Sequence, residues 1–221
     1  MTPDELLKTL YDETLVGNAP AVLALTQQGL ELGMLPETLL FDSLIPSLEE
    51  VGARFERGDF FVPEMLIAGR AMSGALNLLR PLLAETGVQT VGTFVMGTVK
   101  GDVHDIGKNL VNIMLEGAGF HVIDLGVQVP PERFVEAIVE HKPDIVGFSA
   151  FLTTTMPMFK ANINALEKAG LRDQVVVMVG GAPVTQEYAD AVGADAYAAD
   201  ASQTVKKAKD LIQKKRAMVA V

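Results

Sequence analysis

The 221-residue sequence contains no cysteine. That excludes a disulfide framework and any thiolate metal site, and it fits a reducing compartment. Basic residues are in deficit, with 18 Lys and Arg against 28 Asp and Glu and a formal net charge of -10. A nucleic-acid partner would require a basic face, so that class is set aside; an acidic surface of this kind is commonly a solubility device. No apolar run approaches the roughly 20 residues of a membrane span, and the N-terminus has no basic-then-apolar signal pattern. A cytoplasmic protein with no membrane partner is therefore expected. Hydrophobic residues, at 49% of the chain, are ample for packed cores in one or two domains.

The N-terminal part reads as helix alone. Thr2-Pro3-Asp4-Glu5 has capping-box spacing with proline at the first helical position, and Gly17-Asn18 ends that helix. A second helix is predicted from Pro20 to Leu32 and closed by Gly33. A third runs from Pro36 to about Arg57 with a kink at Pro46, because proline removes a backbone donor. After Gly58-Asp59 a fourth continues from Pro63 to about Ala84. Amphipathic helices joined by short turns predict an antiparallel four-helix bundle over residues 1–86.

The segment Glu85 to Gln89 is short, polar and glycine-bearing, and beyond it strand and helix patterns alternate, which places a domain boundary there. Strands are expected at Val91 to Met96, His121 to Leu125, Ile145 to Phe148, Val175 to Val179 and Asp195 to Ala198. Helices are expected at Ile106 to Glu116, Pro131 to His141, Thr155 to Ala169 and Val184 to Val192, and from Ala201 onward. Strict alternation with short connections predicts an α/β fold over residues 90–221. The expected form is a flavodoxin-like (Rossmann-type) five-stranded parallel sheet with its site at the topological switch point.

Histidine is scarce, with three in the chain, and one of them stands in G-D-V-H-D-I-G-K-N, Gly101 to Asn109, between the first expected strand and the next helix. A neutral imidazole ligates a metal through one ring nitrogen while the other donates to a carboxylate. Asp102, two residues before His104 on a tight loop, is placed to accept that bond. The bare D-x-H-x-x-G pattern is short and degenerate. On that pattern alone the better reading is a solvated loop histidine with Asp102 or Asp105 capping the following helix. His121 and His141 fall at element ends without ligand-like neighbours, and Met65, Met72, Met114, Met156 and Met158 read as core filler.

Together with Ser149 to Thr155 (S-A-F-L-T-T-T) and Gly180-Gly181, the histidine motif resembles the cobalamin-binding signature of methionine synthase and of the corrinoid proteins of methylotrophic methyltransferase systems. The helical segment resembles the cap domain of that family, so the resemblance covers nearly the whole chain. It implies cobalamin bound base-off and histidine-on, with His104 as the lower axial ligand of cobalt and Asp102 and Thr155 forming a relay behind it. Cofactor contacts are implied from Gly101, Asp102, Val103, His104, Asp105, Ile106 and Gly107. The same resemblance, with small residues that admit a long ligand tail, implies contacts from Ser149, Leu152, Thr153, Gly180, Gly181 and Ala201. Phe60, Phe61 and Met65 match the segment that covers the upper corrin face, and Glu85 to Gln89 would be the hinge that uncovers it.

Two positions depart from the family pattern. Phe151 stands where the serine-x-leucine motif has leucine, which changes the shape of the tail pocket. Thr155 stands where the relay of methionine synthase has serine, and its hydroxyl still bonds a carboxylate. The resemblance implies a carrier of a methyl group on cobalt, served by separate chains: a substrate-specific methyltransferase, an acceptor methyltransferase acting on a folate, pterin or thiol, and a reductive activation protein. The chain would be the methyl-carrying component and not a stand-alone catalyst. The methyl donor is bound by the partner, so it is not written in this chain. Two other readings stay open on the sequence: a cobalamin-dependent sensor or storage protein, and a flavodoxin-like domain with an ordinary metal or phosphate site.

Overall fold

The computed structural model describes residues 1–86 and 90–219. The chain divides into two compact units, Met1–Gln89 with Glu116–Gly119 and Thr90–Leu115 with Phe120–Val221. Of the expected linker from Glu85 to Gln89, residues 85 and 86 are helical and residues 87–89 lie outside the described residues. Among the described residues, no helix is long and apolar enough to cross a membrane.

The helical unit contains α1 (Pro3–Leu15), α2 (Ala19–Glu31), α3 (Pro36–Leu39), α4 (Ile45–Arg57) and α5 (Val62–Thr86). Thr2 and Glu5 form the reciprocal capping box that their spacing predicts. Helix α1 packs on α2 and α4, and α5 packs on the same two, which closes the four-helix arrangement. Two buried serines tie α4 and the turn before it to α1: Ser43 Oγ donates to the Leu7 carbonyl and Ser47 Oγ to the Tyr11 carbonyl, each at 2.9 Å. The expected kink at Pro46 takes the form of a π-helical turn, Leu40–Leu44, in which the Ile45 N–H donates five residues back to the Leu40 carbonyl. A proline offers no N–H to the carbonyl four residues before it, and the widened turn absorbs that loss. Met65 is fully buried, Phe60 lies half-buried under the Arg54 guanidinium, and Phe61 is exposed.

The second unit holds β1 (Thr93–Thr98), β2 (His121–Asp124), β3 (Ile145–Ser149), β4 (Val176–Gly180) and β5 (Ala196–Ala198). These form one parallel sheet in the order β2-β1-β3-β4-β5. The helices are α6 (Ile106–Gly117), α7 (Pro131–His141), α8 (Pro157–Lys168), α9 (Gln186–Val192) and α10 (Ala201–Val219). Helix α8 therefore starts two residues after the expected Thr155, and α9 two after Val184. Val95, Val146, Phe148, Val177 and Val179 share a core with Phe134 and Ile138 of α7, Phe159 and Ile163 of α8, and Val192 of α9. The alternate residues Phe94, Met96 and Met178 are buried on the opposite face, as a parallel sheet covered on both sides requires. Gly147 belongs to that face, where a β-carbon would run into the side chains of Met96 and Phe94.

Candidate functional site

The order β2-β1-β3 makes the carboxyl ends of β1 and β3 the switch point of the sheet, where connections leave in opposite directions. The loop after β1 is tied on both flanks. Towards β3, the Val99 N–H donates to the Ser149 carbonyl at 3.0 Å. Towards the segment after β2, the Gln128 N–H donates to the Asp102 carbonyl at 3.0 Å and the Thr98 N–H to the Gly126 carbonyl at 2.9 Å. Gln128 makes its contact in the left-handed region, at φ 54°, which non-glycine residues seldom occupy. The first turn of α6 is anchored as well: the buried Lys108 ammonium pairs with Asp124 at the end of β2, and Asn109 Nδ2 donates to Asp105 Oδ2.

Inside this loop Asp102 is fully buried and accepts five hydrogen bonds. Oδ1 takes His104 Nδ1 at 2.7 Å and the His104 N–H at 3.0 Å. Oδ2 takes the Thr155 hydroxyl at 2.7 Å, the Phe151 N–H at 2.8 Å and the Leu152 N–H at 3.2 Å. Burial opposes the charge, but the Thr155 hydroxyl and the donors from His104 and Phe151 outweigh it and hold the carboxyl well below the usual carboxylate range. An ionised acceptor assigns the proton between the two groups to His104 Nδ1. In the neutral imidazole Nε2 then carries the lone pair, and it has no hydrogen-bond partner among the described residues. The Thr155 hydroxyl also lies 2.8 Å from the Leu152 carbonyl, so its single proton goes to one acceptor at a time.

The expected relay residues are thus brought together, and the alternative of Asp102 as a helix cap is set aside: its partners are the histidine and the segment after β3, not the first turn of α6. Asp105 does sit at that turn, its carbonyl accepting from the Asn109 N–H. On the histidine loop and the segment after β3, Val103, Ile106, Phe151 and Leu152 are exposed apolar side chains, and Gly101 and Gly107 are exposed too. A β-carbon on Gly107 would meet nothing within 4 Å, so no contact inside the protein demands a glycine there.

Ser149, Gly180 and Ala201 converge on the same sheet edge. Thr98, Ser149, Gly180 and Ala198 are successive register partners across β1, β3, β4 and β5, so small residues end four neighbouring strands. Ser149 and Gly180 are the last residues of their strands and do not follow them as expected. Gly181 has a reason of its own, at φ 136° with its α-carbon against the Ala150 carbonyl, which would collide with a β-carbon. Thr153 is exposed, and Ala201, buried, begins α10.

Three contributors have no signal in the sequence pattern. The amides of Phe151 and Leu152 reach Asp102 across about fifty residues, and the Gln128 amide reaches its carbonyl from a third loop. The aromatic ring of Phe151, expected only to reshape a tail pocket, instead stacks on the His104 imidazole, with centroids 4.5 Å apart and planes at 27°.

Residues 92–208 and residues 6–80 each match a family described as B12 binding domain. A dimethylamine corrinoid protein of Methanosarcina barkeri is 43% identical over 213 residues, covering 96% of this chain and 100% of that protein. The methanol:cobalamin methyltransferase complex of Methanosarcina barkeri contains a chain that superposes with a TM-score of 0.84 at 30% identity, covering 95% of this chain and 80% of that one. A cobalamin-binding protein from Desulfitobacterium hafniense superposes at 0.68 with 29% identity, covering 93% and 98%.

Proposed function

Because the chain belongs to the B12-binding family of corrinoid proteins, we propose that it carries a methyl group on the cobalt of a cobalamin held base-off and histidine-on at His104. It takes the methyl at a substrate-specific methyltransferase and delivers it at an acceptor methyltransferase acting on a folate, pterin or thiol. A reductive activation protein restores the carrier when its cobalt is oxidised. The protein is the carrying component of such a system and not its catalyst. Identity to the dimethylamine protein exceeds that to the methanol complex, 43% against 30%, so the donor class proposed is a methylamine.

The residues present fit the cofactor. Among the described residues no three His, Cys, Asp or Glu side chains group as a metal cage. A lone imidazole nitrogen is the donor set suited to a metal whose equatorial positions a macrocycle already fills. The exposed apolar side chains of Val103, Ile106 and Leu152 suit a flat, largely apolar ring, and the open space above Gly107 admits its close approach. The strand-end row from Ser149 to Gly180, with Thr153, Gly181 and Ala201, is the proposed slot for the nucleotide tail.

When bound, the cofactor supplies a cobalt centre that is nucleophilic in its reduced state and a methyl donor once loaded. The chain's own part is to present and tune one nitrogen. Asp102 fixes the tautomer and orientation of His104, while its five donors keep it a carboxylate. Were the metal to release His104, Asp102 would stay hydrogen-bonded to Nδ1 and hold the imidazole in place. Thr155 adjusts by turning its hydroxyl between Asp102 and the Leu152 carbonyl.

The observation that carries this reading is the free Nε2 of an imidazole whose other nitrogen is bound to a buried carboxylate at the switch point. The test is His104→Ala loaded with cobalamin. The variant should lose the histidine-on absorbance spectrum while the tail slot still retains corrinoid. An unchanged spectrum with unchanged cobalt content would remove His104 from the site.

A further inference from the structure

We propose that Phe151 is a positioning residue for the cobalt ligand: its ring sets the plane of the His104 imidazole and so the direction in which Nε2 is offered. The proposal rests on the reading of His104 as the ligand. Asp102 holds the imidazole at one point, Nδ1, at 2.7 Å. A histidine pinned at one ring atom still tips, because χ2 of an imidazole is broad and compensates small changes of χ1. The solvent side does not restrain it, since the His104 side chain is 43% exposed. A flat surface on the other side does, and Phe151 supplies it with ring centroids 4.5 Å apart and planes at 27°.

Phe151 is itself held by the group that holds the histidine. Its N–H donates to Asp102 Oδ2 at 2.8 Å while Oδ1 of the same carboxylate binds the imidazole. The preceding Ala150 is buried, and its N–H donates to the Gly180 carbonyl. One immobile carboxylate thus sets both the edge of the imidazole and the backbone from which the ring on its face is hung. The Phe151 ring is half exposed and has no other aromatic neighbour among the described residues. Its position is not accounted for by burial in the core.

The backbone N–H is common to every side chain, so substitution isolates the ring. Phe151→Leu keeps apolar bulk and removes the flat face; Phe151→Tyr keeps the face. NMR of the cofactor-free proteins should show the His104 ring protons shifted by the aromatic current in wild type and Phe151→Tyr, and both shift and order lost in Phe151→Leu. After loading with cobalamin, the ratio of histidine-on to histidine-off absorbance should fall about two- to tenfold in Phe151→Leu, the range an aromatic pair contact spans, and recover in Phe151→Tyr. An unchanged ratio in Phe151→Leu overturns the proposal whether or not the ring shift is lost, and so does a loss that Phe151→Tyr fails to restore. If wild type itself shows no histidine-on spectrum, the reading of His104 as ligand fails; that outcome is distinct from a failure of Phe151 alone.

Discussion

Asp102 gathers five donors on one buried carboxylate, and that number decides what a substitution does. An asparagine has one acceptor oxygen, so in either orientation its NH2 faces at least two donors: the pair from His104, or the three from Phe151, Leu152 and Thr155. Each buried donor left unsatisfied costs about 1–3 kcal/mol. Nδ1 of His104 can accept once its tautomer changes and the Thr155 hydroxyl can donate to the Leu152 carbonyl, so Asp102→Asn should destabilise the cofactor-free protein by at least about 1 kcal/mol in urea denaturation, and weaken cobalamin coordination about ten- to a hundredfold. The pH dependence follows from the same geometry. A carboxyl whose folded value is depressed lends stability that is complete above its unfolded value, near 3.8, and is lost as pH falls through the lower folded one. Wild type should lose part of its stability in acid below about pH 4, and Asp102→Asn should lack that component. An asparagine variant with wild-type stability at pH 7 would show that the five contacts are not made together.

At the scale of elements, irregularities sit where one residue conflicts with the ideal geometry of its segment. The long helical stretch before Arg57 passes through a π-helical turn because Pro46 follows it. The exit of β4 bends through Gly181 because it crosses the Ala150 carbonyl at the exit of β3. Gly181→Ala combines a disfavoured φ with a backbone collision, and such strain costs on the order of 1–3 kcal/mol before the collision is counted. The expected result is a lower midpoint of thermal unfolding together with weaker cobalamin binding, since Ala150 and Phe151 must shift to make room. A variant that unfolds at the wild-type temperature would place the constraint elsewhere.

For the whole molecule, the cofactor is a ligand of the folded state and stabilises it by mass action. At a free concentration a hundred times its dissociation constant the gain is about 2.7 kcal/mol, or roughly 5–10 °C in the unfolding midpoint for a chain of this size. Hydrogen exchange maps where that stabilisation falls. Cobalamin should slow exchange in residues 99–107, 150–155, 180–181 and 199–203, the four loops at the carboxyl edge of the sheet. Slowing confined to the histidine loop would mean that Ser149, Gly180, Gly181 and Ala201 do not form the tail slot.

Much of this was legible in the residues alone, for a local reason. Capping boxes, prolines at first helical positions and glycines at helix ends are encoded within a few residues, and so is the switch from helical to alternating periodicity. The helices, the five parallel strands and their flavodoxin-like order followed from those signals. The pairing of Asp102 with His104 was legible too, because the two are neighbours on one loop. Spacing along a chain does not record which loops meet in space. The amides of Phe151 and Leu152 closing on Asp102, the Gln128 amide beneath it, the stacking of Phe151 on His104 and the collision that requires Gly181 all join segments separated by about 25 to 50 residues or by the width of a strand. Those contacts exist only once the sheet has set β1, β3 and β4 side by side in register. Tertiary structure therefore decided how the histidine is held and which way it faces, while the identity of the histidine was already in the sequence.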